Sequence, residues 1–190
     1  MTCATPQSLR RRMRQPRPFL ESALVGPAIL AIVVSCSNAG EPGMGLPWPE
    51  DSLNSLVIRT DFTDDGAWAA VRSAIETPVS VSVNGVAVGE FKPFVQLVND
   101  RRFDGLTVDQ LLALADDPTH IFAFLVDREA LTDPDQPILV VDLAGEPGRT
   151  FRVIPSAMWD VQNNLAIGNV DWDDYESATD QRGIYRDVSE

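Results

Sequence analysis

Two runs, IFAFLVD from Ile121 and ILVVDL from Ile138, are the most hydrophobic in the chain. Near-continuous apolar strands of this kind are central in a sheet covered on both faces, because residues pointing either way must meet a packed layer. Such a chain needs helices on both sides of a sheet. Between the runs, residues 128–131 leave room for one short helix before Pro134. The stretch ILVVDLAGEPGRTFRVIP then reads as two strands around Gly145, Glu146, Pro147 and Gly148, hence an antiparallel pair.

The other segments supply the remaining strands and the covering layers. LVIRTDF from Leu56 is a compact β-branched run and reads as a buried strand. Trp68, Val71 and Ile75 then recur at helical spacing, with Thr63 or Asp64 as N-cap and Pro78 past the end. VSVNGVAV, residues 81–88, alternates around Asn84-Gly85, a pair suited to the positive φ angles of a type I′ hairpin turn. FVQLVND from Phe94 is a further strand. LTVDQLLALADDP carries a capping box, Thr107 with Gln110, ahead of an apolar helix face of Leu111, Leu114 and Ala115. Ser156 is placed to cap a helix to about Leu165, and Asp171 to cap a last one through about Ala178. The expected architecture is α/β: a single domain over residues 53–190 with a mixed sheet of about five strands and packed helices. Residues 37–52, rich in Pro and Gly, read as an extended linker, and residues 1–36 as a leader.

Charge divides the chain at Met44. The first 43 residues carry five arginines against Glu21 and Glu41, while the remainder holds ten basic and twenty-six acidic side chains, a net −16. That much negative charge repels a phosphate backbone, so nucleic acid is excluded as a partner. It fits solubility, or a basic protein partner drawn in by long-range steering. Both cysteines, Cys3 and Cys36, fall in the leader, so the domain has no thiol chemistry and no cysteine-based zinc site. His120 is the sole histidine, which rules out a His-rich metal site and reads as a strand-edge residue.

Five arginines without an acid, then an apolar stretch from Phe19 to Val34 too short for a settled membrane helix, suit a signal peptide. Val33-Val34-Ser35-Cys36 resembles the lipobox of bacterial lipoproteins. The resemblance implies cleavage before Cys36, acylation of its thiol and a domain held on the extracytoplasmic face of the cell membrane. The other reading starts translation near Met44, which leaves residues 1–43 untranslated and the domain cytoplasmic.

Across residues 53–185, the segments RTDF, FDGLT, EPGRTFRVIP and NNL resemble an uncharacterised bacterial domain family. The resemblance implies a fold and no activity, so no catalytic residue follows from it.

Four expected strands end in aspartate: Asp61, Asp100, Asp127 and Asp142. Parallel strands would gather these carboxylates at the edge where open α/β sheets bind ligands, and two or three of them with water would hold a hard cation such as Mg²⁺. Caps and turns account for the same pattern, because aspartate bonds the backbone amides that follow it. Arg59, Arg101, Arg149 and Arg152 lie nearest these acids, as an anion clamp or as their ion-pair partners. Lys92, the sole lysine, begins a strand and excludes a phosphotransfer receiver, which needs a lysine at a strand end. Trp68, Trp159 and Trp172 read as packing residues, and Asn163-Asn164 either as a helix C-terminal cap or as amides that fix a neighbouring backbone segment. Phosphate-binding glycine loops, EF-hands and zinc signatures do not occur. The expected function is a non-enzymatic acidic binding module without a cofactor, tethered through Cys36. The alternative is a metal-dependent hydrolase using the strand-end aspartates.

Overall fold

The computed structural model describes residues 45–51 and 53–186. The leader, with Cys36, lies outside the described residues. The first strand, β1 (Ser55–Arg59), is buried along its whole length. Its alternate residues feed two separate cores, Val57 on one face and Leu56 and Ile58 on the other. Helix α1 (Asp65–Glu76) presents Trp68, Val71 and Ile75 to the Val57 face, and Asp64 caps it by accepting from Ala67 N.

A hairpin follows, β2 (Val79–Val83) and β3 (Val86–Phe91), turned at Asn84 and Gly85 with φ of 53° and 76°. It forms its own two-stranded sheet. The chain rejoins the main sheet at β4 (Val95–Val98), passes a 3-10 turn at Arg101–Phe103, and enters α2 (Val108–Leu114). The Thr107/Gln110 capping box forms as the sequence predicts, and Leu111 packs on the Leu56–Ile58 face. Then come β5 (Phe122–Val126), the short α3 (Arg128–Thr132), β6 (Ile138–Asp142), β7 (Thr150–Val153), α4 (Met158–Ile167), α5 (Trp172–Ser177) and β8 (Ile184–Tyr185).

The main sheet has six strands in the order β4-β1-β5-β6-β7-β8. β4, β1 and β5 are mutually parallel, β6 runs against β5 and β7, and β8 is parallel to β7. The mixed α/β sheet expected from the sequence is present, with one more strand than expected and a separate hairpin. The two apolar runs are β5 and β6, at its centre. Phe124 and Val140 enter one core, and Leu125 and Val141 the other. Each such fully buried side chain contributes roughly 1.5–3 kcal/mol.

Two local expectations differ. Pro155 starts a 3-10 turn, so α4 begins at Met158 with Ala157, not Ser156, at its N-cap. Part of the expected linker packs: Leu46 is buried, Trp48 stacks on His120 at 4.5 Å, and Gln96 donates to the Pro47 carbonyl.

Candidate functional site

Adjacent strands β1 and β4 send their chains to opposite faces, β1 to α1 and β4 to α2, so their carboxyl ends form a topological switch point. Arg59, the last residue of β1, is 2 % exposed and organises this edge. Its guanidinium donates to the Asp61 and Asp64 carbonyls at 2.8 and 3.2 Å and to Asn99 Oδ1 at 3.3 Å. It also pairs with Asp65 at 2.8 Å and lies over the Phe62 ring at 4.3 Å. The cation therefore shapes the β1–α1 loop and is not presented to solvent.

The aspartates divide between two edges. Asp61, Asp100 and Asp127 follow the parallel strands β1, β4 and β5 and share the switch-point edge. Asp142 ends β6, which is antiparallel, so it stands at the opposite edge. Asp61 accepts from Thr63 N and Oγ1 at 2.7 and 2.5 Å, and these bonds hold its carboxyl below the usual value. Asp100 accepts from Arg102 N and Nε at 3.0 and 2.8 Å and is lowered by the same partner. Asp127 caps α3 through Ala130 N and takes both Arg152 terminal nitrogens, at 3.1 and 2.6 Å. Asp142 accepts from three successive amides, Ala144, Gly145 and Glu146, at 2.9, 2.9 and 2.7 Å. Among the described residues, no group of three His, Cys, Asp or Glu side chains is arranged to hold a metal ion.

The four arginines do not converge either. Arg101 lies over Phe62 at 5.3 Å, Arg152 pairs with Asp127 and Glu129, and Arg149 pairs with Glu146, Asp173 and Glu176 ahead of β7. Those pairs hold Arg149 above the usual arginine value, most strongly through the hydrogen bonds it donates to Glu176 and Asp173.

An apolar concave site lies elsewhere, at the edge where β1 and β4 begin. Among the described residues, six large hydrophobic side chains are exposed. Leu53, Phe94 and Ile167, at 48, 58 and 66 %, line one groove with Gln162, Asn163 and Ala166, and it encloses 240 Å³. The walls come from three distant segments: the approach to β1, the approach to β4 and the last turn of α4. One buried side chain joins them. Gln162 of α4, 0 % exposed, accepts from Phe94 N at 2.8 Å and donates to the Leu53 carbonyl at 2.7 Å. Ser55 N bonds the Phe94 carbonyl at 3.0 Å and completes the frame.

The NNL segment lies in this wall, inside α4 and not at its cap, which is Gly168 in the left-handed conformation. Asn164 is turned away, donating to Asp160 and accepting from Asn169. Asn163 lines the groove, and among the described residues its buried Oδ1 has no hydrogen-bond donor. The sequence reading did not single out Leu53, Phe94, Gln162 or Ile167.

No curated protein matches this chain significantly. The family model described as a domain of unknown function, DUF6924, matches residues 54–188, most of the chain and nearly all of the fold described above, and the chain belongs to that family.

Proposed function

We propose that the domain is a binding module whose groove receives an apolar side chain from a basic protein segment. The observation that carries this reading is the convergence of Leu53, Phe94 and Ile167 on one groove, exposed at apolar cost, over a framework that Gln162 holds in place. Scattered exposed apolar residues need no explanation, whereas a clustered set around a concavity is characteristic of recognition sites. Charge selects the partner. The chain from Met44 onward carries a net −16, which attracts a Lys- or Arg-rich segment from beyond contact range. Acylation at Cys36 would hold this module on the extracytoplasmic face of the membrane, and the groove works the same way without it.

Calorimetric titration with the blocked peptide Lys-Lys-Leu-Phe-Lys-Lys tests the reading. Binding is expected to weaken at least about tenfold in Phe94→Ser and in Ile167→Ser, each an exposed truncation outside the core. It should also weaken as salt rises from about 50 to about 300 mM, where screening shortens the reach of the acidic field. No heat of binding, or affinity unchanged in both variants, refutes the groove as the recognition site.

A further inference from the structure

The β2–β3 hairpin carries a second surface, independent of the groove. It holds two further exposed apolar side chains, Val86 at 68 % and Val88 at 56 %, and Ser80, Ser82, Ala87 and Glu90 are exposed as well. Among the described residues, its two strands pair only with each other. The base is held by Phe91, whose ring stacks on Trp159 of α4 at 4.8 Å. A lone two-stranded ribbon is marginal in water, and its open edges are templates for another strand.

Open edges are ordinarily blunted by lysine, inward charge, proline or a bulge. β3 has such a device. Pairing passes from Val81–Gly89 to Ser82–Ala87, so Val88 is skipped and bulges. β2 has none within it, since Pro78 precedes its first residue. Residues 77–89 also form the longest charge-free stretch among the described residues. In a domain of net −16, another copy is repelled over most of the surface and least repelled here.

The sequence of β2 itself identifies the occupant. It reads Val-Ser-Val-Ser-Val from Val79 to Val83, the same in both directions. Antiparallel pairing with its own copy about Val81 sets valine positions opposite valine positions and Ser80 opposite Ser82. That is the self-complementarity a twofold contact requires. We propose that two copies of this chain associate through β2, antiparallel and centred on Val81, joining two hairpins into one four-stranded sheet. Ladder hydrogen bonds and serine–serine contacts across the twofold supply the attraction, and like charges placed at those positions oppose each other directly.

Light scattering on the full chain is expected to give twice its mass of 20.8 kDa. Ser80→Lys with Ser82→Lys, and separately Ser80→Asp with Ser82→Asp, should each raise the dimer dissociation constant at least about tenfold, while an equal mixture of the two variants restores the dimer. The wild-type chain gives a second measurement. Hydrogen-exchange protection of the Val79–Val83 amides should rise with protein concentration. A monomeric wild type, a dimer indifferent to both variants, loss without restoration on mixing, or protection independent of concentration each overturns the proposal. Association driven by the leader gives the indifferent result.

Discussion

Gln162→Leu removes the amide that joins the two groove walls while keeping a side chain of similar reach. The Phe94 N–H and the Leu53 carbonyl, now bonded at 2.8 and 2.7 Å, lose their partner beneath a side chain that is 0 % exposed. An unsatisfied buried polar group costs roughly 1–3 kcal/mol, so two of them, offset by burying an apolar side chain, give a loss of about 3 kcal/mol. For a domain of this size that lowers Tm by about 10 °C. Urea unfolding followed by far-UV circular dichroism is the assay, with the m-value expected unchanged because the surface exposed on unfolding is the same. Gln162→Glu gives a sharper version. Its new carboxylate can accept from Phe94 N but has a donor for the Leu53 carbonyl only when protonated, so burial and that hydrogen bond raise its folded-state pKa above the unfolded value. The sign follows: this variant is nearest to wild type below the unfolded pKa and loses stability as pH rises through the folded one. A loss below about 0.5 kcal/mol for Gln162→Leu, or a pH-independent deficit for Gln162→Glu, refutes the bridging role.

Asp142→Ala deprives three amides of their acceptor in the β6–β7 turn and should cost about 3 kcal/mol in the same unfolding assay; a loss under about 1 kcal/mol would show that the backbone holds the turn unaided. Arg59→Lys should cost about 2–3 kcal/mol, because an ammonium cannot reach partners in the β1–α1 loop and Asn99 in the plane a guanidinium spans; retention of full stability would refute that loop's dependence on the fork. Asp61, Asp100, Asp117, Asp133 and Asp180 are all held below the usual aspartate value of 3.8, chiefly by hydrogen bonds from Thr63, Arg102, Thr119, the Asp135 amide and Arg186 respectively. Their contribution is therefore complete above the unfolded value and is lost as pH falls through the folded ones, so unfolding free energy should drop below about pH 4, and a rise there would contradict these contacts. Intact mass of the chain from its native membrane fraction should fit an acylated form beginning at Cys36; an unmodified mass beginning near Met44 refutes the lipobox.

Local signals were legible where one segment contains both partners. The Asn84-Gly85 turn, the Thr107 capping box and the short α3 before Pro134 each depend on residues a few positions apart. β8 was not legible, because two residues, Ile184 and Tyr185, carry no periodicity and are strand only by pairing with β7. Leu46 and Trp48 were hidden for another reason. Pro and Gly predict the absence of regular structure, and a segment without it can still bury a side chain. The groove was least legible, since Leu53, Phe94 and Ile167 come together through Gln162, more than 100 residues from Leu53 in sequence, and through the pairing of β1 with β4.

The strand-end aspartates show why a chemical pattern read along the chain underdetermines a site. Sequence locates a carboxylate at the end of a strand but does not give the strand's direction, and one antiparallel neighbour moves Asp142 to the other edge of the sheet. Nor does it show how much of each carboxylate is already engaged. A carboxylate offers about four acceptor positions. Asp142 accepts from three backbone amides, and Asp127 accepts from one amide and from both terminal nitrogens of Arg152. Groups so engaged fix the loops around them and have little coordination capacity left for a ligand. Among the described residues, the informative positions are the ones with unmet demand: apolar side chains left in water at Leu53, Phe94 and Ile167, and a strand edge without a neighbour at β2. Each names the chemistry that would complete it. The first calls for an apolar side chain, and the second for a strand that matches Val-Ser-Val-Ser-Val, which the chain itself contains.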